Sequence, residues 1–479
     1  MLFRRIYHPR LAQASYLVAC ARTREAIAID PTRDVGQYLA AARAEGVRIV
    51  AVTETHVHAD FISGASELAA AADARLYLSG EGQGPGSYTP EYLERSGAVL
   101  LRDGDTIAVG AVRIQVLHTP GHTPEHITFL VTDTAAADEP MGAVTGDFVF
   151  VGDVGRPDLL ERALQIAGSS DRAARQLFAS LGRLAAYPDY LQLWPGHGAG
   201  SACGKGLSAV PQSTLGYERR HNWAFGVRDE DAFVAQVQAG QPEPPAYFAA
   251  TKRINRQGGA TTPAPPPPAS MDADAVRRAA AAGTLVIDIR PASDFAAGHL
   301  PGTISIPYER SFLAWAGSIV PDGSDAILVG TAPALDDAVA DLRLIGIDRI
   351  VGTASSAALE AWRRAGGRLR TLTSITADEL AARVRQGSVT VVDVRERAEW
   401  AAGHIAGAVH VPLGLVRDRA GDLPRDRPLV VHCQSGARST IAGSILLAAG
   451  VDAVENLAGG LAAWQGAGHA TDTGTSSAA

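Results

Sequence analysis

The sequence predicts an α/β chain of about three domains, and three observations carry that expectation. Short apolar runs alternate with helix-period stretches along the chain, the pattern of strands and helices packed in layers. Four polar segments of the first half stand directly behind such runs. In the second half, the stretch from Asp288 to Pro307 recurs from Asp393 to Pro412, 105 residues later, and a period that long is a duplicated domain. The length of 479 residues agrees, at ~150 residues per domain.

Composition narrows the function classes. A net charge of −8 without a Lys/Arg cluster argues against a nucleic-acid partner. No apolar run approaches the roughly 18 residues of a membrane helix. The first residues contain no uninterrupted apolar segment of secretory type. Three cysteines do not make a disulfide framework, so a reducing, cytoplasmic setting is expected. Association into a homo-oligomer is left open.

Residues 1–256 read as one large α/β unit. Residues 15–19 and 25–29 pair as a hairpin, 34–45 form a helix, 47–52 a buried strand and 63–72 a helix. Residues 106–116 are two strands around a glycine turn, with further strands at 127–131, 143–145 and 191–194. Residues 257–270, with four consecutive prolines, read as an extended linker. The repeat gives two small doubly wound α/β domains, 271–370 and 371–468. The small, polar residues 469–479 read as a disordered tail.

The polar segments behind the strands hold the chemistry of the first domain. They are Thr-His-Val-His-Ala-Asp-Phe at 55–61, Pro-Gly-His at 120–122, Thr-Gly-Asp at 145–147 and Pro-Gly-His at 195–197. Strand ends of an α/β fold converge on one rim, so residues far apart in sequence can meet there. Imidazoles and carboxylates suit a first-row transition metal. His56, His58, Asp60, His122, Asp147 and His197 are therefore candidate metal-site residues, while His118 and His126 are read as structural.

The order and spacing of these segments resemble the metallo-β-lactamase superfamily, over roughly residues 1–250. The resemblance implies an αββα sandwich of two mixed sheets. Two branches share most of these residues: glyoxalase II-type hydrolases with two metals, and persulfide dioxygenases with one Fe(II). In the two-metal branch the residue after the aspartate is a histidine that binds the second metal. Here it is Phe61, which has no lone pair. Gly-Arg-Pro-Asp at 155–158 also resembles a segment of the dioxygenase branch. That branch implies one Fe(II) per chain on His56, His122 and Asp147, with His58 and Asp60 around the ligands and His197 nearby; His58, Asp60 and His197 are also the candidates for a weak second metal site. It implies oxidation of a thiol persulfide, usually glutathione persulfide, by O₂ to sulfite. Arg156, Tyr217 and Arg219 are candidates to hold the carboxylates of a thiol carrier. Cys203, in a glycine-rich stretch with Lys205 close by, is a candidate for an exposed, acidified thiol. Cys20 is read as a small core hydrophobe.

Near the far end, the apolar residues 429–432 run into Cys433-Gln434-Ser435-Gly436-Ala437-Arg438-Ser439 and then a helical pattern. A strand, a tight loop and a helix start make a cradle of N–H groups that favours a negatively charged sulfur. The Cys-x₄-Arg loop resembles that of rhodaneses, as does the upstream Asp-Val-Arg…Gly-His-Ile motif. The resemblance implies that Cys433 carries a persulfide and that Arg438 with the loop amides holds the anionic donor or acceptor. The first copy has no cysteine and replaces the basic residue with an acidic neighbourhood, Asp336 and Asp337, so it is expected to be inactive. Together these resemblances imply a persulfide dioxygenase joined to a sulfurtransferase that interconverts persulfide plus sulfite and thiosulfate. The competing expectation is a glyoxalase II-like, two-zinc thioester hydrolase joined to a sulfurtransferase.

Overall fold

The computed structural model describes residues 1–474 apart from 83, 85, 165 and 260–264. The chain divides into two compact units, Met1–Pro263 with Arg343–Gly346, and Ala264–Leu342 with Ile347–Ala479. Among the described residues, no helix is long and apolar enough to cross a membrane.

Two six-stranded mixed sheets build the first unit. In one, the antiparallel strands Leu2–His8, Gln13–Ala19 and Glu25–Ile29 continue into the parallel strands Arg48–Thr53, Arg75–Ser79 and Val99–Leu101. The other runs antiparallel from Thr106–Val109 through Val112–His118 and Ile127–Asp133 to Gly142–Gly146. Gln192–Pro195 then pairs parallel to Gly142–Gly146. Side chains alternate across each sheet. Along Gln13–Ala19, Ala14, Tyr16 and Val18 meet Ile114, Phe129 and Trp194 of the facing sheet. Leu17 and Ala19 point the other way, onto Tyr38 and Ala42 of the helix Val35–Glu45. The outer face of the second sheet is covered by Leu177 and Leu181 of Ser169–Leu184 and by Phe233 and Val237 of Glu230–Gln238. The result is helix, sheet, sheet, helix, with one apolar layer between each pair. Strands and helices stand close to the expected places. The first strand, Leu2–His8, and the 16-residue helix Ser169–Leu184 are additions that the motif-centred reading passed over.

The second unit holds two five-stranded, all-parallel sheets with the same connectivity. In the first copy the strand order is Ala269–Ser270, Ile350–Ser355, Ala326–Gly330, Leu285–Asp288, Ile304–Ser305. In the second it is Thr373–Ile375, Val454–Leu457, Leu429–His432, Thr390–Asp393, Val409–His410. The recurring sequence motif is structural. Arg395 donates twice to the buried Asp393 and once to Gly403 O, and Trp400 stacks on His404 at 3.7 Å. Arg290, Asp288, Gly298, Phe295 and His299 repeat the arrangement. The copies touch where the helix Ala437–Ala448 lies on strand Ile304–Ser305, with Ser305 N–H donating to Ser444 Oγ at 2.8 Å.

Two boundary expectations change. Of the expected linker, 260–264 lies outside the described residues, while Ala269–Ser270 is already an edge strand of the next sheet. Of the tail expected to be disordered, 475–479 lies outside the described residues. Residues 469–472 are tied down: Trp464 Nε1 donates to Ala470 O, His469 packs on Trp464, and Asp472 bridges to His404. An indole beside the chain gives these small residues a surface to pack on.

Candidate metal centre and cysteine loop

Strand ends bring the metal candidates together. Arg48–Thr53 ends before His56, Val112–His118 before His122, Gly142–Gly146 before Asp147 and Gln192–Pro195 before His197. His56, His122 and Asp147 offer ligand atoms within 4.8 Å of one another, all buried. Asp147 Oδ2 lies 3.9 Å from His56 Nε2 and 3.5 Å from His122 Nε2. His122 Nδ1 faces Arg156 O at 3.0 Å, and His56 Nδ1 lies 2.9 Å from Thr55 Oγ1. A partner on Nδ1 orients the ring and leaves Nε2 for a ligand bond. His56 Nε2 and both Asp147 oxygens are buried without a hydrogen bond. Buried polar atoms left without partners in one cluster fit a metal ion there. Two glycines make room: a Cβ on Gly155 would stand 1.8 Å from Asp147 O, and one on Gly196 2.7 Å from Asp147 Oδ1.

Burial pushes His56 and His122 well below the ordinary histidine range, so both are neutral at neutral pH, as a metal ligand must be. Burial, reinforced by the nearby Asp60 charge, pushes Asp147 up to about 6. His126, read as structural, takes the Asp147 N–H on its Nε2 at 3.2 Å and so fixes that turn.

His58 departs from His56. Its Nε2 faces Asp30 Oδ1 at 3.1 Å and its ring packs on buried Phe61 at 4.3 Å. Burial lowers its pKa, but the Asp30 charge and hydrogen bond outweigh this and raise it to about 9. Asp30 was invisible to the motif reading. It follows the strand Glu25–Ile29 and also accepts the Thr55 N–H at 2.6 Å. The rim logic that selected the histidines, a polar residue just past a buried strand, selects it as well.

A second group, Asp60, His197 and Cys203, also lies within 4.8 Å. His197 Nε2 is 3.2 Å from Asp60 Oδ2 and 3.4 Å from Asp147 Oδ1, and its Nδ1 faces Ala12 O. Cys203 corrects one expectation. The thiol is buried, and burial with the Asp147 and Asp60 charges pushes it up to about 12. Lys205 points elsewhere, donating to Gln236 O and Ala239 O. Cys20 sits in the inter-sheet core.

The carrier candidates also change. Arg156 is fully buried, with its guanidinium on Asp158 and Ala202 O, so it supports the His122 loop rather than facing a ligand. Arg219 is engaged by Asp189, Ala185 O and Tyr187 O. Asp158 stands in the same segment as Arg156, but Ala202, Asp189, Ala185 and Tyr187 come from elsewhere in the chain and leave no local sign. Tyr217 is exposed and packs on His221.

The helix Tyr247–Arg256 holds the 55–61 loop from behind. Tyr247 Oη donates to Asp60 O, buried Lys252 to Val57 O, and Asn255 Nδ2 to His58 O and Phe61 O. Glu125 accepts the Val57 N–H from the other side. These residues were missed because only a tertiary contact relates them to the motif.

In the second unit, the loop after Leu429–His432 places Cys433 at the start of the helix Ala437–Ala448. Gly436 N–H donates to Cys433 Sγ at 3.1 Å, and Ser439 Oγ stands at 3.6 Å. Gly436 has φ 111, a left-handed conformation that favours glycine. The loop carbonyls are drawn backwards: Cys433 O and Gln434 O accept from Leu461 and Ala462 N–H. Gln434 and Ser435 are exposed, and Ala437 opens the helix. Arg438 reaches the carboxylate of Glu399, at 2.6 and 2.7 Å.

Comparison with known proteins finds relatives of both units. The family model of the metallo-beta-lactamase superfamily matches residues 8–197, and that of the rhodanese-like domain residues 376–467. A solved metallo-beta-lactamase from Staphylococcus aureus subsp. aureus COL is 40% identical with a TM-score of 0.67, covering 74% of this chain and 99% of its own. Persulfide dioxygenase ETHE1, mitochondrial, of Bos taurus is 31% identical over 33% of this chain and 56% of its own length. A hydroxyacylglutathione hydrolase of Polaromonas sp. is 33% identical over 38% and 61%. A sulfurtransferase of Allochromatium vinosum is 43% identical over 16% and 71%. The chain belongs to the metallo-β-lactamase superfamily and carries a rhodanese-like domain.

Proposed function

We propose that the first unit is a non-haem Fe(II) persulfide dioxygenase and that Cys433 is the sulfur carrier of a sulfurtransferase working on the same sulfur pool. The carrying observation is Phe61. It fills, with an apolar ring against His58, the place where the two-metal relatives hold a ligand. His56, His122 and Asp147 would hold one ion, and iron there would supply the redox chemistry with O₂ that zinc cannot. The overall change is persulfide plus O₂ plus water to thiol plus sulfite. The chain's own residues hold and orient the ligands: Thr55 and the Arg156 carbonyl fix two imidazoles, His126 fixes the Asp147 turn, and Asp30 fixes His58.

Sulfite and a further persulfide meet at Cys433. The thiolate takes the outer sulfur of a persulfide, and sulfite takes it on as thiosulfate. Joining the two activities raises the effective concentration of the shared product. Glutathione is the favoured thiol carrier, with Tyr217 as a contact, in a cytoplasmic setting. The first copy of the repeat is inactive, having no nucleophile.

A second reading, thioester hydrolysis at two zinc ions, is favoured by the group Asp60, His197 and Cys203 beside Asp147, and by the hydroxyacylglutathione hydrolase relative. The test is a supply of glutathione persulfide and O₂ to iron-loaded protein. Oxygen uptake with sulfite or thiosulfate as product is expected. No uptake, with hydrolysis of a glutathione thioester by the zinc-loaded chain, would replace the first reading by the second.

A further inference from the structure

The Cys433 loop carries an unexpected neighbour. Arg438, the one guanidinium in the loop, makes a two-pronged contact with Glu399, Nη1 to Oε2 and Nη2 to Oε1. Such a fork is a strong, planar pairing. Glu399 is held from its own side as well. The Glu396 N–H donates to Oε2 at 3.1 Å, closing the cap of the helix Arg397–Ala402. Its main-chain carbonyl accepts from Arg395, the arginine of the buried Asp393 pair. Glu399 is therefore part of the scaffold and not a mobile surface acid. Beside the sulfur, the charge of Arg438 is matched by a fixed carboxylate, and amide dipoles such as Gly436 N–H remain to stabilise an anion.

We propose that Glu399 is a specificity-determining residue of this loop, admitting donors that bring one negative charge to the reacting sulfur group and disfavouring those, such as thiosulfate, that bring two. This rests on the sulfurtransferase reading above. With a persulfide R–S–S⁻, the Cys433 thiolate attacks the outer sulfur. The donor S–S bond breaks, its electron pair leaves with R–S⁻, and Cys433–S–S⁻ forms. With thiosulfate the same exchange expels sulfite. No oxidant or reductant is needed in either case. The difference lies in charge near the loop: a thiosulfate sulfonate, bonded directly to the transferred sulfur, brings a second negative charge towards Glu399, whereas the carboxylates of glutathione persulfide lie several bonds from its sulfur. The pair leaves the equilibrium untouched but weakens retention of thiosulfate. The loop is thereby suited to taking persulfide, passing sulfur to hydrogensulfite and releasing thiosulfate.

The experiment uses the full chain without oxygen, so that the iron half is idle, with cyanide as acceptor and thiosulfate or glutathione persulfide as donor. Glu399→Gln keeps an oxygen for the Glu396 N–H, so the helix cap is retained. The expected result is a rise of about tenfold in kcat/KM for thiosulfate and a change below about threefold for the persulfide. Inhibition of persulfide turnover by thiosulfate should tighten in parallel. Equal changes for both donors, or a fall for thiosulfate, would mean that Glu399 only orients Arg438, and would overturn the inference. Arg438→Gln provides the converse: thiosulfate use should fall more steeply than persulfide use, and a parallel fall also overturns it. Transfer from neither donor by the unaltered chain would instead remove the sulfurtransferase reading, and this inference with it.

Discussion

The two copies of the repeat share a scaffold and differ in one loop. Each has five parallel strands in the same order, a buried Asp–Arg pair at a strand end and an aromatic ring on a histidine. Strand pairing aligns Asp288 with Val329 and Asp393 with His432, so Gly330 stands where Cys433 stands. In the first copy the helix starts at Ala332, two residues after Gly330. In the second it starts at Ala437, four after Cys433. The missing residues are those that fold back to offer N–H groups. The place of the thiol is taken too: a Cβ on Gly330 would lie 2.6 Å from Ile289 Cγ1. The motif that identifies both copies is thus the motif of the fold, while the chemistry resides in a few loop residues.

The largest expected effect is at Cys433. Cys433→Ser should cut sulfur transfer by at least about a thousandfold and shift the product of persulfide oxidation from thiosulfate to sulfite, with oxygen uptake retained. Thiosulfate output at the original rate would remove Cys433 from the pathway. The reciprocal change, Gly330→Cys, should give no transfer activity and destabilise the chain by about 1–3 kcal/mol, because Ile289 must move. Activity from that variant would show that a cysteine alone suffices and that the loop comparison is misplaced.

Next in size is the shared lock. Arg395→Ala leaves the buried Asp393 with only the residue 395 N–H and His432 Nε2, at 3.4 Å, beside it and should cost about 3–5 kcal/mol in urea unfolding. Arg290→Ala should cost somewhat less, since the Arg290 side chain is 13% exposed against 2% for Arg395. A large cost in the second copy and none in the first would mean that the cysteine-free copy has lost the constraint as well as the cysteine loop.

The smallest effect concerns the metal centre. Asp147 is raised to about 6 from an ordinary 3.8, so the metal-free protein carries that proton below pH 6, and a metal must displace it. Metal affinity should fall about tenfold per pH unit below 6 and be flatter above. Burial holds His56 and His122 well below the ordinary 6.5. Titration with Co(II), read by its visible spectrum, measures this slope, and a pH-independent affinity would take Asp147 out of the ligand set.

Much of the fold was legible because buried strands and their flanking polar residues are local features. The apolar runs marked the strands, and rim residues such as His122 and Asp147 could be named from the turns that follow them. What stayed hidden was set by partners distant in sequence. Arg156 reads as a surface guanidinium until Ala202 O, 46 residues on, is seen to hold it beside the neighbouring Asp158, and Cys203 as an exposed thiol until the fold buries it beside Asp60 and His197. Lys252 and Asn255 lie on a helix with no motif, almost 200 residues from the loop they hold, and Glu399 reads as one more acid of an exposed helix.

Phe61 offers no lone pair where the two-metal branch that the sequence resembles has a histidine, and one redox metal per chain is the proposed consequence. Metal analysis of the purified chain, by mass spectrometry of the acid-digested protein, tests it most directly. About one iron per chain is expected, with a second equivalent taken up after Phe61→His. Two zinc ions per unaltered chain would contradict it.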